Sequence, residues 1–178
     1  LLTIARLDPD ASKKPMTTIN LAELVKSVRD DMAPIAAQKN IEITEDARPA
    51  MLDGMEDAIR LMVTNLTDNA IRYTPEGGRI EITSSTEHGL SVLRVCDNGP
   101  GIAPEERSRV FDRFYRALGT KTSGTGLGLA IVKRIVDIHH GTVEIEDGLD
   151  GRGTIFKLSF PPLGASSHHT AAVPSSRI

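Results

Sequence analysis

Asn65-Leu-Thr-Asp-Asn69-Ala-Ile-Arg-Tyr73 is followed along the chain by Asp97-Asn-Gly-Pro-Gly101 and then by Gly124-Thr-Gly-Leu-Gly128-Leu129. Asn65 and Asn69 stand four residues apart, so on a helix both amides project from one face into the same space. A neutral amide oxygen suits Mg²⁺, a hard cation that keeps several waters and leans on substrate phosphates. Arg72 on the same turn is placed to reach phosphate, and Tyr73 to lie against a ribose or base. Taken alone, the block reads equally well as a pair of solvated surface amides.

Asp97 ends the apolar run Ser91-Val-Leu-Arg-Val-Cys96. A carboxylate there needs a donor, and the exocyclic amine of adenine is one. Gly99 and Gly101 around Pro100 give a tight loop that lets a ligand approach backbone, although an ordinary turn after a strand has the same composition. The third block opens a helical pattern with glycines, which directs free N–H groups and the positive end of a dipole toward an anion. It is neither a P-loop, lacking Gly-Lys-Ser/Thr, nor a Rossmann fingerprint, because a polar loop rather than a strand precedes it. A flexible glycine-rich helix start is the plainer alternative. In this order the three blocks read together as an ATP site.

The 178 residues suffice for one domain with a real core and no disulfides. With 21 Lys plus Arg against 24 Asp plus Glu, nothing favours nucleic acid as a partner. The single cysteine, Cys96, reads as a buried structural thiol. No run approaches the roughly 18 apolar residues of a membrane span, and no signal peptide is evident.

Residues 9–19 read as a linker, with two prolines among small and charged residues. Asn20 is placed to cap a helix over 21–38 whose inward face is Leu21, Leu24, Val25, Val28, Met32 and Ile35. A strand is expected at 41–44. A second helix from Asp53 to Thr74 buries Ile59, Met62, Val63, Leu66, Ala70 and Ile71. Strands at 79–83 and 91–95 join through a turn at His88-Gly89. A third helix is expected from Gly126 to His140, with Leu127, Ala130, Ile131, Ile135 and Ile138 inward and Gly141 ending it. Strands at 142–145 and 154–160 close a domain spanning 20–161, and residues 162–178 form a disordered tail. Helices and hairpins in runs imply a two-layer α/β sandwich.

The blocks resemble the N, G1, F and G2 boxes of the catalytic ATP-binding domain of bacterial sensor histidine kinases. Leu1–Asp8 is similar to the end of the second dimerisation helix of such kinases, as if the chain were cut from a longer one. The resemblance implies the α+β Bergerat fold shared with the gyrase B subunit and the ninety-kilodalton chaperone, a mixed, mostly antiparallel sheet covered on one face by helices. It implies that Asn69 holds Mg²⁺ and that Asp97 reads adenine, with Gly99, Gly101 and Ile102 at the base pocket. Asn65 and Arg72 then serve catalysis beside the phosphates, with Tyr73 nearby. Phe111 and Phe114 match the box anchoring an ATP lid over roughly 112–124, which carries Arg116. Gly124, Thr125, Gly126, Leu127, Gly128 and Leu129 wrap the phosphates, and Thr154 supports adenine through water. Arg72 stands where Lys is common, and the lid is short.

Related ATPases that hydrolyse ATP carry a glutamate base where this chain has Asn65. An amide cannot take that proton, which implies transfer to a nucleophile brought from elsewhere. His88, His139, His140, His168 and His169 all lack the context of a phosphoacceptor. The expected partners are therefore the dimerisation helices of the whole protein and a response regulator, with no nucleic acid. The whole protein is expected to be a homodimeric inner-membrane sensor with this portion cytoplasmic, and the fragment mostly monomeric. A nucleotide-binding module without catalysis and a gyrase-like hydrolase are the other readings.

Overall fold

The computed structural model describes residues 15–115, 126–148 and 151–164. The expected dimerisation-helix remnant and most of the linker and tail lie outside the described residues. The elements are β1 (Thr17–Asn20), α1 (Leu21–Ala37), β2 (Glu42–Ala47), β3 (Met51–Gly54), α2 (Glu56–Tyr73), β4 (Arg79–Glu87), β5 (Leu90–Asp97), α3 (Gly128–Ile138), β6 (Thr142–Asp147) and β7 (Thr154–Phe160).

Five strands form one sheet in the order β2-β4-β5-β7-β6, with β2 parallel to β4 and the other pairs antiparallel; β1 and β3 form a separate antiparallel pair. The α+β two-layer sandwich is what the sequence implied. Ile80, Ile82, Leu93, Val95, Phe156, Leu158 and Phe160 point from the sheet into the core. The opposite face is polar: Arg94 grips Glu87 through both oxygens at 2.6 and 2.8 Å, and Lys157 pairs with Glu144 at 3.2 Å. The Arg94 hydrogen bonds hold the Glu87 carboxyl down at about 2. Helix α2 lies between α1 and α3, so its apolar stripe is covered from several sides while one edge stays free for polar work.

Asn20 caps α1 as expected, its Oδ1 accepting the Ala22 N–H at 3.1 Å. The stripe of α2 is buried throughout. The His88-Gly89 turn takes φ of 50° and 82°, the two positive values that a two-residue hairpin with the favoured twist demands.

Several boundaries differ from the sequence reading. The linker gives way to β1 at Thr17, and Asp53 belongs to β3 rather than starting α2, which begins at Glu56. Both strands are four residues long, too short for alternation to register. Ile35 is 44% exposed, because the buried stripe of α1 passes from Met32 to Ala36, four residues on, and Ile35 falls beside it. Helix α3 starts at Gly128, and its fully buried residues are Val132, Ile135 and Val136 rather than the Leu127, Ala130, Ile131 and Ile138 face, which is only half-buried. At its end the left-handed residue is His140, at φ 54°, not Gly141. Gly141 is required instead by contact, since a Cβ there would lie 2.7 Å from Phe160 Cδ1 and 2.8 Å from the Ser159 carbonyl.

His139 links the far ends of the helices. Its Nδ1 donates to the Ile135 carbonyl at 2.7 Å, and Nε2 accepts the Met55 N–H at 3.1 Å, replacing the side-chain cap that α2 lacks. Only the neutral ring makes both bonds. Burial pushes the His139 pKa below its ordinary value of 6.5, against the pull of the Ile135 carbonyl. The unfolded chain therefore binds a proton that the folded one refuses, so this contribution is full above pH 6.5 and is lost as pH falls. The urea midpoint is expected to drop between about pH 7.5 and about pH 5.5, and to drop less in His139→Gln. Equal drops in both chains would show that His139 does not govern the loss.

Candidate nucleotide site

The site is assembled where the polar edge of α2, the end of β5 and the start of α3 meet. Asn65, Asp68, Asn69 and Arg72 are half-buried along that edge. Arg72 Nη2 donates to Asp68 at 2.7 Å, one turn back, so its guanidinium is held beside the two amides. A Cβ on Gly128 would lie 3.7 Å from Asn65 Oδ1, which brings the first turn of α3 down onto Asn65. Asn65 Nδ2 is buried with no hydrogen-bond partner among the described residues. An unpaired buried donor costs about 1–3 kcal/mol, and it calls for an acceptor beyond them.

Asp97 is the last residue of β5 and is 5% exposed. Its Oδ1 accepts the N–H of Gly99 at 2.9 Å and of Thr154 at 3.3 Å, whereas Oδ2 accepts nothing among the described residues. Burial pushes its pKa above the ordinary carboxylate value, and the two amide bonds hold it down. The Thr154 bond depends on how closely β7 starts against β5. Gly153, at φ 81°, lies so near that a Cβ would fall 1.9 Å from the Asp97 carbonyl oxygen. Gly101, at φ 80°, turns against the Gly153 carbonyl from the other side. Arg107 steadies the same turn, donating to the carbonyls of Ile102 at 3.1 Å and Ile145 at 3.2 Å and pairing with Asp147.

The two phenylalanines separate. Phe111 packs edge-on against Phe156, with ring centres 6.4 Å apart, and anchors its segment to the core. Phe114 is 71% exposed at φ 63°. Its N–H donates to the Gly126 carbonyl at 3.0 Å, and a Cβ on Gly126 would lie 2.9 Å from Phe114 Cα. Backbone contact, rather than aromatic packing, therefore closes the base of the loop between them. Tyr73, Ile102, Leu127 and Leu129 are half-buried around the site, and Thr154 is buried. Arg116, Gly124 and Thr125 lie outside the described residues.

The structure thus sets Gly128 against Asn65, Gly99 against Asp97 and the Tyr73 carbonyl, and Gly101 against Gly153, the residue before Thr154, while Asn65, Asn69 and Arg72 share one edge of α2 and Gly126 meets Phe114. The sequence reading gave no role to Gly148 and Gly153, which lie in the connection between the strands expected at 142–145 and 154–160. The available signal was Gly153 immediately before Thr154, opposite the acidic end of the neighbouring strand.

Residues 54–164 match the family of histidine kinase-, DNA gyrase B- and HSP90-like ATPases, and the chain belongs to that family. Within it, this is an ATP-binding catalytic domain of the sensor histidine kinase type. It is 42% identical over 162 residues to the sensor protein kinase PmrB of Pseudomonas aeruginosa, covering 90% of this chain and 34% of that protein. The chain spans about a third of the length of the curated relatives it matches. Among solved structures, the mycobacterial sensor histidine kinase MprB is similar at a TM-score of 0.73 and 29% identity, covering 82% of this chain and 97% of that one. Full-length ShkA in complex with AMPPNP is similar at a TM-score of 0.76 and 32% identity, covering 88% of this chain and 33% of that one.

Asp97→Asn keeps an oxygen for the Gly99 and Thr154 amides while removing a charge that burial disfavours. The variant is expected to melt no lower than the parent at neutral pH. Its affinity for ADP should fall about ten- to a hundredfold, the equivalent of one charge-assisted hydrogen bond. Calorimetry with thermal melts reads both, and undiminished binding would remove Asp97 from the base pocket.

Proposed function

We propose that this chain binds Mg·ATP and presents its γ-phosphoryl group to a histidine outside the described fold, on dimerisation helices of a longer protein. The observation carrying the proposal is the Asp97 carboxylate, 5% exposed at the end of β5, whose Oδ1 takes the Gly99 and Thr154 amides while Oδ2 takes no bond among the described residues and so is left to accept from an adenine amine. At the other end, the orphaned Asn65 Nδ2 and the first N–H groups of α3 supply donors to phosphate oxygens. Asn69 offers its amide oxygen to Mg²⁺, and Arg72, released from Asp68, offers its guanidinium to the terminal phosphate. An amide oxygen at Asn69, an amide donor at Asn65 without a partner among the described residues and a guanidinium at Arg72 are the donor set that a Mg²⁺-bound triphosphate takes. Bound Mg²⁺ would neutralise the charge that develops on the transferring oxygens.

Neither Asn65 nor Asn69 can take a proton from water, so the chain's own groups orient and neutralise rather than generate a nucleophile. His139, buried 3% exposed between Ile135 and Met55, is committed to structure and is no acceptor. No helix among the described residues is long and apolar enough to cross a membrane. We further propose a response regulator as the final acceptor, homodimerisation of the whole protein through its helices, and a cytoplasmic location for this portion.

With γ-labelled ATP, the chain alone is expected to take up no label, whereas a supplied dimerisation segment bearing the phosphoacceptor histidine should be labelled. Asn69→Ala should lose that transfer by about a hundredfold or more. Multiple-turnover phosphate release by the chain alone would favour a hydrolase instead, and nucleotide binding without transfer would favour a regulatory module.

A further inference from the structure

Helix α2 ends against a proline, and the ending is repaired from a distance. The last carbonyls of a helix have no intrahelical donors. That of Ala70 takes the Thr74 N–H at 2.9 Å. That of Ile71 would take the amide of residue 75 if the helix continued, but Pro75 has none. Lys39, in the connection from α1 to β2, fills the gap. Its Nζ donates to Ile71 at 2.7 Å, to Thr74 at 2.8 Å and to Arg72 at 3.2 Å, using all three hydrogens of the ammonium on three carbonyls. A cation also belongs at this end of the helix dipole.

The turn that Lys39 holds is a wall of the site. It carries Arg72 and Tyr73 and begins at Asn69. The Tyr73 carbonyl abuts the loop after Asp97, where a Cβ on Gly99 would lie 3.1 Å from it. Any loosening of this turn therefore reaches both the metal and phosphate residues and the base loop.

We infer that Lys39 is a positioning residue for the nucleotide site, locking the last turn of α2 so that Asn69, Arg72 and the Gly99 loop keep one geometry. The inference rests on the nucleotide reading above. The docking of the Lys39 connection does not depend on the ammonium. The Lys39 carbonyl accepts the Gly77 N–H at 3.3 Å, and Asn40 Nδ2 donates to Glu76 at 2.8 Å. Lys39→Met, which keeps the apolar stem, should therefore fold.

The experiment compares the parent chain, Lys39→Met, Lys39→Arg and Asp97→Asn. It uses calorimetric titration with Mg·AMPPNP, hydrogen exchange at the Thr74 amide and thermal melts. Lys39→Met is expected to bind about tenfold more weakly, the lower end of what losing an outer partner of a ligand-holding group brings. Its Thr74 amide should exchange faster. Lys39→Arg, whose flat fork cannot converge on three carbonyls, should recover part of the affinity. Full affinity in both Lys39 variants overturns the inference while leaving the nucleotide reading intact, as does faster exchange with unchanged binding. If Lys39→Met fails to fold, Lys39→Arg decides alone, and parental affinity in it overturns the inference. Absence of binding by the parent chain overturns both.

Discussion

A carboxylate buried at the end of an interior strand requires donors that occupy almost no space, and this requirement organises the molecule around Asp97. Backbone N–H groups satisfy it only if neighbouring chain comes within hydrogen-bond distance of a buried side chain. The sheet order places β7 beside β5, and the register pairing Cys96 with Ile155 puts Thr154 alongside Asp97. Gly153 then has to pass the Asp97 carbonyl at a distance no side chain tolerates. Strand order, register and one glycine together set the carboxylate's orientation, leaving Oδ2 without a bond among the described residues.

The second requirement falls on α2, which is core on one side and site on the other. Its buried stripe locks rotation about its own axis, and therefore the direction of Asn65 and Asn69. Its two ends are fixed by residues remote in sequence, His139 at the Met55 amide and Lys39 at the final carbonyls. A helix held only by its stripe can still fray at both termini. Here each terminus has a partner from the packing layer beside it, so the amides are presented from an element fixed along its length.

Periodicity showed in the sequence wherever one surface of an element is apolar over several turns. The α2 stripe from Ile59 to Ile71 is buried as read, and the α1 face fails only at Ile35, which lies beside the line from Met32 to Ala36. The chemistry of the three blocks was equally legible, because residue type and spacing carry it. Contacts made across the fold were not. His139 reads as a helix end, yet its partner amide is 84 residues away. Lys39 drew no reading from the sequence, yet it acts on carbonyls 32 to 35 residues onward. Gly153 reads as turn chemistry, and its role appears only when Asp97 is beside it. Strands β1 and β3 escaped because four residues hold too little pattern to separate a strand from a loop.

Three departures from ordinary folding rules converge on one place. Asp97 is a carboxylate in a position that disfavours its charge. Asn65 buries an unpaired donor. Phe114 holds a bulky side chain at positive φ and leaves its ring exposed. Each costs stability, on the order of 1–3 kcal/mol for the strained backbone or the orphaned donor. Elsewhere the core is apolar, α1 is capped at Asn20, and Arg94 and Lys157 pair with Glu87 and Glu144 on the outer sheet face, although Thr74 Oγ1 is a further buried atom without a partner among the described residues and His140 a further residue at positive φ. A disfavoured charge, an unpaired donor and a strained backbone on neighbouring elements are what a binding site for a polar ligand requires. The missing complements also differ in kind, an acceptor seeking an amine at the Asp97 end and donors seeking oxygens at the Asn65 end. A ligand with an amine-bearing base at one end and anionic oxygens at the other would answer both, which agrees with the ATPase family to which the chain belongs.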